Sequence, residues 1–117
     1  MASGSYTGTV IRGSGTAAKL GFPTLNIPLA DTTLSGIYAA KVEAGGSVYQ
    51  AAVFADPARA LLEAYLLDFS GDLYGKEITI ELCKKLRESR RYESDDALSA
   101  AIAADVVDTR SYFLERP

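Results

Sequence analysis

The segment Glu77–Leu82 (EITIEL) alternates strictly between polar and apolar residues. In an extended chain this alternation places Ile78, Ile80 and Leu82 on one face and the polar residues on the other. A period of two is typical of a β-strand with one face buried. The segment therefore predicts a half-buried strand, with one face against a hydrophobic core and the other exposed.

Three other segments are also predicted to form β-strands. Aromatic and β-branched residues predict strands over 6–12, 36–42 and 48–54. The sequence Glu-Ala-Gly-Gly-Ser between the last two supplies the positive φ angles of a hairpin turn, so we expect these strands to pair. Segment 61–69 is followed by Ser-Gly-Asp, and it is predicted to form a second hairpin with EITIEL.

The period changes once, after Ser94. Apolar residues then recur at three- and four-residue steps from Leu98 to Val106. Ser94 suits a helix N-cap, and the two aspartates after it favour the positive end of the helix dipole. Several strands and one C-terminal amphipathic helix predict a mainly β fold: a small antiparallel barrel or sandwich with the helix packed outside it or across one end.

Composition excludes several classes of protein. At 117 residues one domain is expected, which we place at 6–117, with Met1–Ser5 as a flexible leader. The chain has no histidine and one cysteine, which excludes a catalytic triad, a disulfide framework and a Cys-rich zinc site. The net charge of -3 gives no reason to expect nucleic acid as a partner. The chain shows neither a membrane-spanning apolar run nor a signal peptide, so we expect a cytoplasmic protein without a membrane partner.

Two glycine- and proline-containing segments suggest a phosphate and metal site. Gly13 and Gly15, followed by Lys19, offer open backbone amides near a cation, as phosphate sites do. Thr24 and Asn26, two apart beside Pro23, project oxygen atoms to the same side of an extended chain, and such ligands suit Mg²⁺. The alternative for both segments is a turn in which these residues serve only the backbone.

Charged residues elsewhere suggest a base and a cationic surface. Glu63 lies in an apolar run, where burial raises the proton affinity of a carboxylate toward that of a general base; the alternative is an outward-facing residue on an edge strand. The basic segment 84–91 is usually a solvated surface, although it also suits a phosphate-bearing product or, as a less favoured alternative, nucleic acid.

In order, these motifs resemble the riboflavin kinase family across about residues 6–108. The resemblance is carried by Lys-Leu-Gly-Phe-Pro-Thr-Leu-Asn-Ile at 19–27, Glu-Ala-Tyr-Leu-Leu-Asp-Phe at 63–69, Asp-Leu-Tyr-Gly-Lys-Glu-Ile at 72–78 and Leu-Arg-Glu-Ser at 86–89. It implies a closed Greek-key barrel that transfers a phosphoryl group from ATP to the ribityl 5′-hydroxyl of riboflavin, giving FMN.

The resemblance also implies roles for single residues. Glu63 would be the catalytic base, and Thr24 and Asn26 would hold Mg²⁺ and the nucleotide phosphates. The nucleotide site would further include Gly13, Gly15, Lys19 and Tyr74, and the flavin site Arg87 and Arg90. Bacterial members are often joined to an FMN adenylyltransferase module. We therefore expect such a module as a partner, either fused to this domain or on a separate chain.

Three departures from the family pattern bear on activity. Thr16-Ala-Ala18 stands where members usually have Arg-Gly, the segment between 53 and 62 is shortened, and Tyr65 replaces a usual histidine. Thr24, Asn26 and Glu63 are unaffected. The sequence therefore favours a riboflavin kinase, with a divergent module that binds flavin or nucleotide without catalysis as the alternative.

Overall fold

The structure is a computed structural model that describes residues 4–13, 15–31 and 33–115. Its elements, in chain order, are β1 (Gly4–Thr9), α1 (Thr16–Lys19), β2 (Leu25–Pro28), β3 (Gly36–Ala44), β4 (Ser47–Asp56), β5 (Leu61–Leu66), β6 (Glu77–Arg87) and α2 (Asp95–Leu114). None of the helices within these residues is long and apolar enough to cross a membrane.

The six strands form one antiparallel sheet in the order β1-β6-β3-β4-β5-β2. Strands β3, β4 and β5 are consecutive neighbours, and β6 returns beside β3, which is the Greek-key arrangement. The two ends of the sheet meet where Ile11 donates its backbone N–H to the carbonyl of Asn26 at 2.7 Å. The predicted mainly β barrel with a C-terminal helix is therefore confirmed.

The barrel interior contains the hydrophobic core. Alternate residues of each strand point inward, among them Ile27, Val42, Val53, Leu62 and Ile80, all essentially inaccessible to solvent. The outer face of β3 and β4 is covered by α2. This helix begins where predicted, because the Ser94 hydroxyl accepts a hydrogen bond from the Ala97 N–H at 3.1 Å.

The hairpin predicted between 36–42 and 48–54 is confirmed as β3 and β4. The hairpin predicted between 61–69 and EITIEL is wrong: β5 pairs with β2 and β4, whereas β6 pairs with β1 and β3. The Ser-Gly-Asp sequence instead lies in the middle of a longer connection, residues 67–76, between β5 and β6.

The first strand also begins earlier than predicted. Gly4 and Ser5, assigned to the leader, lie in β1 opposite Leu82 and Glu81, because the inner strand β6 offers an edge with which they pair. The rest of the predicted leader, residues 1–3, lies outside the described residues.

Candidate active site

The site is built on the outer face of the barrel, where β2 and β5 pair. Leu25 lies opposite Ala64 and Ile27 opposite Leu62, and these residues point toward the core. Asn26, between them, lies directly opposite Glu63. Since successive residues of a strand alternate between faces, Asn26 and Glu63 project together to the outside of the barrel.

Beside this pair lies a cavity of about 580 Å³. Its floor is the outer face of β3, β4 and β5, and its walls come from α1, the end of β6, the segment before α2 and α2 itself. The lining residues include Ala17, Thr24, Ile37, Ala52, Phe54, Asp56, Arg59, Glu63, Tyr65, Arg87, Ser89, Arg90, Arg91, Tyr92, Leu98, Ile102 and Asp105. Thr24, Glu63, Arg87 and Arg90, predicted from sequence, thus line one cavity.

Glu63 is half-buried, and its environment suits a base. Burial raises the pKa of Glu63 above its ordinary value of 4.5, and this effect is the largest one. The positive charge of Arg59 opposes the rise, and the negative charge of Asp56 adds to it. A carboxylate with raised proton affinity that borders a cavity is equipped to accept a proton from a bound hydroxyl.

Asn26 has the character of a ligand-binding residue. Its side chain is buried, and its Oδ1 atom has no hydrogen-bond partner among the described residues. A buried acceptor without a partner costs stability unless something binds it. Gly13 leaves room beside it, since a Cβ on Gly13 would lie 2.6 to 2.7 Å from three atoms of the Asn26 carboxamide.

These features fit the predicted magnesium site. The unpaired Asn26 oxygen is a hard ligand, and Thr24, two residues away, is half-buried at the cavity wall. Within the part of the chain that the structure describes, no cluster of three or more Cys, Asp or Glu residues could hold a metal. With Asn26 and Thr24 as its protein ligands, a magnesium ion here would keep water or phosphate oxygens as the others.

The predicted phosphate loop contains a short helix that the sequence did not reveal. Gly15, with φ 75°, precedes α1, and Lys19 lies exposed in its last turn. Ala17 of α1 borders the cavity, whereas Gly15 and Lys19 do not line it. Ser14 lies outside the described residues. The nucleotide-binding roles of Gly13, Gly15 and Lys19 remain predictions.

Tyr74 lies apart from the cavity. It is about half exposed, at 51%, and its ring is covered by the guanidinium of Arg12, whose Cζ lies 4.4 Å from the ring centroid. The neighbouring Gly75 N–H donates to the Val10 carbonyl at 3.0 Å, so this surface adjoins the segment leading to Gly13. Its predicted contact with nucleotide remains a prediction.

Arg87 and Arg90 both border the cavity, but Arg87 is paired with a carboxylate whereas Arg90 is exposed. The Arg87 guanidinium donates to both carboxylate oxygens of Asp105, each at 2.8 Å. This pair raises the pKa of Arg87 further, so the side chain stays charged. Arg90 is exposed in the segment before α2. Their predicted contacts with flavin remain predictions.

Sequence reasoning missed three charged residues that line the cavity: Asp56, Arg59 and Asp105. Asp105 falls among the recurring positions of the predicted helix but was given no role, and it is buried against the barrel. Arg59 lies in the β4–β5 turn, which Asp56 shapes by accepting hydrogen bonds from the Ala58 and Arg59 N–H groups at 3.1 and 3.3 Å. Asp56 followed by Pro57 was the available signal for that turn.

Comparison with known proteins identifies the family. The family model of flavokinase, described as riboflavin kinase, matches residues 2–113. The chain is 37% identical over 113 residues to a bifunctional riboflavin kinase/FMN adenylyltransferase of Pseudomonas fluorescens, covering 89% of this chain and 36% of the relative. It thus spans little more than a third of that protein.

Two solved structures share the fold. A crystal structure of riboflavin kinase from Trypanosoma brucei superposes with a TM-score of 0.66 at 28% identity, covering 100% of this chain and 83% of the other. A structure described as a macrolide-efflux protein from Streptococcus pneumoniae gives a TM-score of 0.78 at 26% identity, covering 91% of this chain and 38% of the other. With the match of the family model over nearly the whole chain, these findings show that the chain belongs to the riboflavin kinase family.

Proposed function

We propose that this chain transfers the γ-phosphoryl group of ATP to the ribityl 5′-hydroxyl of riboflavin, giving FMN and ADP. The match to the riboflavin kinase family supports the reaction, and the position of Glu63 is the observation that carries it. This half-buried carboxylate borders the cavity directly opposite Asn26, so a proton acceptor and an unpaired oxygen ligand lie side by side.

In the proposed reaction Glu63 accepts the proton of the 5′-hydroxyl as its oxygen attacks the γ-phosphorus. The bond from that phosphorus to the bridging oxygen breaks, and ADP carries away the electron pair. The raised pKa of Glu63, caused mainly by its burial, makes it a stronger base than an exposed glutamate. Arg59, Arg90 and Arg91 supply positive charge to the cavity, where negative charge on phosphate oxygens is stabilised.

Magnesium belongs to the proposal as the partner of ATP. Asn26 and Thr24 are the residues that would hold it, and the ion would supply charge neutralisation at the phosphates. Gly13 keeps the space beside Asn26 open for this purpose.

The relatives' names pair riboflavin kinase with FMN adenylyltransferase. We propose that FMN formed at this site passes to such a module, within one polypeptide or on a separate one. We also propose that this reaction takes place in the cytoplasm.

The test is chromatographic detection of FMN after incubating the purified protein with riboflavin, ATP and Mg²⁺. We expect metal-dependent FMN formation, and we expect Glu63→Gln to lower kcat by on the order of a hundredfold or more, since general bases contribute that much. Glu43→Gln is the matched control, because Glu43 is an exposed strand glutamate outside the cavity.

Two outcomes would contradict the proposal. Undiminished turnover in folded Glu63→Gln would remove Glu63 from the role of base. No FMN from the folded parent protein, together with quenching of riboflavin fluorescence on binding, would identify a flavin-binding module without catalysis.

A further inference from the structure

Arg87 stands where the chain leaves the barrel and enters the cavity wall. Its Nε and Nη2 atoms each donate to a different oxygen of Asp105 at 2.8 Å, and its Nη1 donates to the carbonyl of Glu88 at 3.0 Å. The Asp105 side chain is only 6% exposed. A bidentate pair of this kind fixes orientation as well as charge.

The backbone at Arg87 is held as tightly as its side chain. Gly36, with φ +104°, packs against it so closely that a Cβ there would lie 2.8 Å from the Arg87 carbonyl oxygen. Lys85 and Arg87 pair with the successive residues Tyr38 and Ile37, so Leu86 is the extra residue of a β-bulge. Bulges commonly redirect a strand end next to a functional site. Here the bulge brings Arg87 to the end of the sheet within reach of α2.

Residues 88–93, here named the arginine loop, run from Arg87 to the N-cap of α2. The loop includes Ser89, Arg90, Arg91 and Tyr92, which all border the cavity. The Arg87 Cζ atom also lies 5.8 Å from the centroid of the Tyr92 ring. Arg87 directly precedes the arginine loop and also contacts Tyr92 near the end of the loop. Through Arg87, both ends of the loop are therefore connected to Asp105 of α2.

We propose that Asp105 is a positioning residue, which through Arg87 holds the arginine loop in place as the wall of the riboflavin-binding cavity. This inference rests on the proposed function. Because three Arg87 donor groups are used by Asp105 and Glu88, Arg87 acts mainly by holding this wall, and Arg90 and Arg91 present the free positive charge.

The chain provides a matched control on the same helix. Arg110 forms a second bidentate pair, with Asp68, at 3.0 and 2.9 Å. It joins α2 to the residues just after β5, and neither member lines the cavity. Both members are well exposed, at 46% and 75%. Asp68→Asn therefore removes an ion pair of equal chemistry without touching the cavity.

The experiment compares Asp105→Asn with Asp68→Asn by two measurements. For Asp105→Asn we expect the riboflavin KM to rise by on the order of tenfold or more, since displaced positioning groups have effects of that size, while the ATP KM stays within about twofold. We also expect trypsin to cleave after Arg90 and Arg91 several times faster, because a released loop opens more often. Asp68→Asn should change neither quantity. Asp105→Glu, which keeps the carboxylate, should partly restore both.

A double-mutant comparison separates action through Arg87 from a general effect on folding. Arg87→Met/Asp105→Leu removes both charges and so avoids leaving one of them buried alone. If Asp105 acts through Arg87, adding Asp105→Leu to Arg87→Met should not raise the riboflavin KM further.

A parental riboflavin KM or a parental cleavage rate in Asp105→Asn would overturn the proposal. So would a further rise in KM when Asp105→Leu is added to Arg87→Met. If the parent protein neither binds riboflavin nor forms FMN, the proposed function fails. Trypsin cleavage alone then decides whether Asp105 holds the loop.

Discussion

Gly13→Ala tests whether the open space beside Asn26 is needed for function. An alanine Cβ at this position would lie 2.6 Å from Nδ2 and 2.7 Å from Cγ and Oδ1 of Asn26. The nearest of these distances is about 0.8 Å shorter than ordinary van der Waals contact. Since Asn26 is only 5% exposed, its carboxamide has little free space into which it could move. The substitution should therefore displace the carboxamide by most of an ångström.

Displacements of about 1 Å near reacting groups lower rates by on the order of a hundredfold. We therefore expect kcat/KM for FMN formation to fall by on the order of a hundredfold, with a higher magnesium concentration needed for half-maximal rate. Overpacking of this kind should also lower the free energy of unfolding by about 1 to 3 kcal/mol.

Gly8→Ala is the control for the effect on stability. A Cβ at Gly8 would also be crowded, at 3.1 Å from the Ile27 Cβ, but Ile27 belongs to the core and not to the site. This variant should lose stability and keep its magnesium dependence. FMN assays across a magnesium titration, with thermal unfolding of both variants, make the comparison. If Gly13→Ala has parental kcat/KM and parental magnesium dependence, the open space has no catalytic purpose.

Two further predictions follow from the raised pKa of Glu63. A base must be ionised, so kcat/KM should fall on the acid side with a midpoint above 4.5, and Arg59→Gln should move that midpoint to higher pH because Arg59 lowers the pKa of Glu63. A pH profile in which Arg59→Gln leaves the acid limb unmoved would contradict the coupling. The same rise means that the folded protein favours protonated Glu63, so its contribution to stability is present below the unfolded value and is lost as the pH rises through the folded value. Glu63→Gln should therefore unfold at a higher temperature than the parent at pH 7 and at nearly the same temperature at pH 4, as calorimetry would show.

Most strands could be predicted from the sequence because one face of each lies against the core. EITIEL predicted the first part of β6 correctly. The strand continues to Arg87, but its pairing with β3 shifts register at two places. The alternation of polar and apolar residues therefore ends at Leu82, although pairing with β3 continues to Arg87. Helix α1, with four residues, is too short to show a helical period.

The sequence pointed to Thr24, Glu63, Arg87 and Arg90, which line one cavity, but it did not show how the site is assembled. Asn26 and Glu63 are adjacent only because β2 pairs with β5 in one particular register, and no local pattern specifies that pairing. Asp105 was missed for a related reason. A carboxylate on a helix normally faces solvent, and its burial follows from Arg87, a partner 18 residues earlier in the chain.

The features that weaken this fold lie together at one place. The buried Oδ1 of Asn26 has no hydrogen-bond partner among the described residues, and the Glu63 carboxylate is partly desolvated. Gly13, beside Asn26, has no side chain that could pack there. Each of these lowers stability, and an apolar residue in place of either Asn26 or Glu63 would remove the cost. Departures from stable packing that concentrate at one site are typical of sites selected for function. A module that only bound flavin would need a cavity and cations, but it would not need a carboxylate whose pKa is raised. The half-buried Glu63, directly opposite the unpaired oxygen of Asn26, therefore favours the proposed kinase over the flavin-binding module.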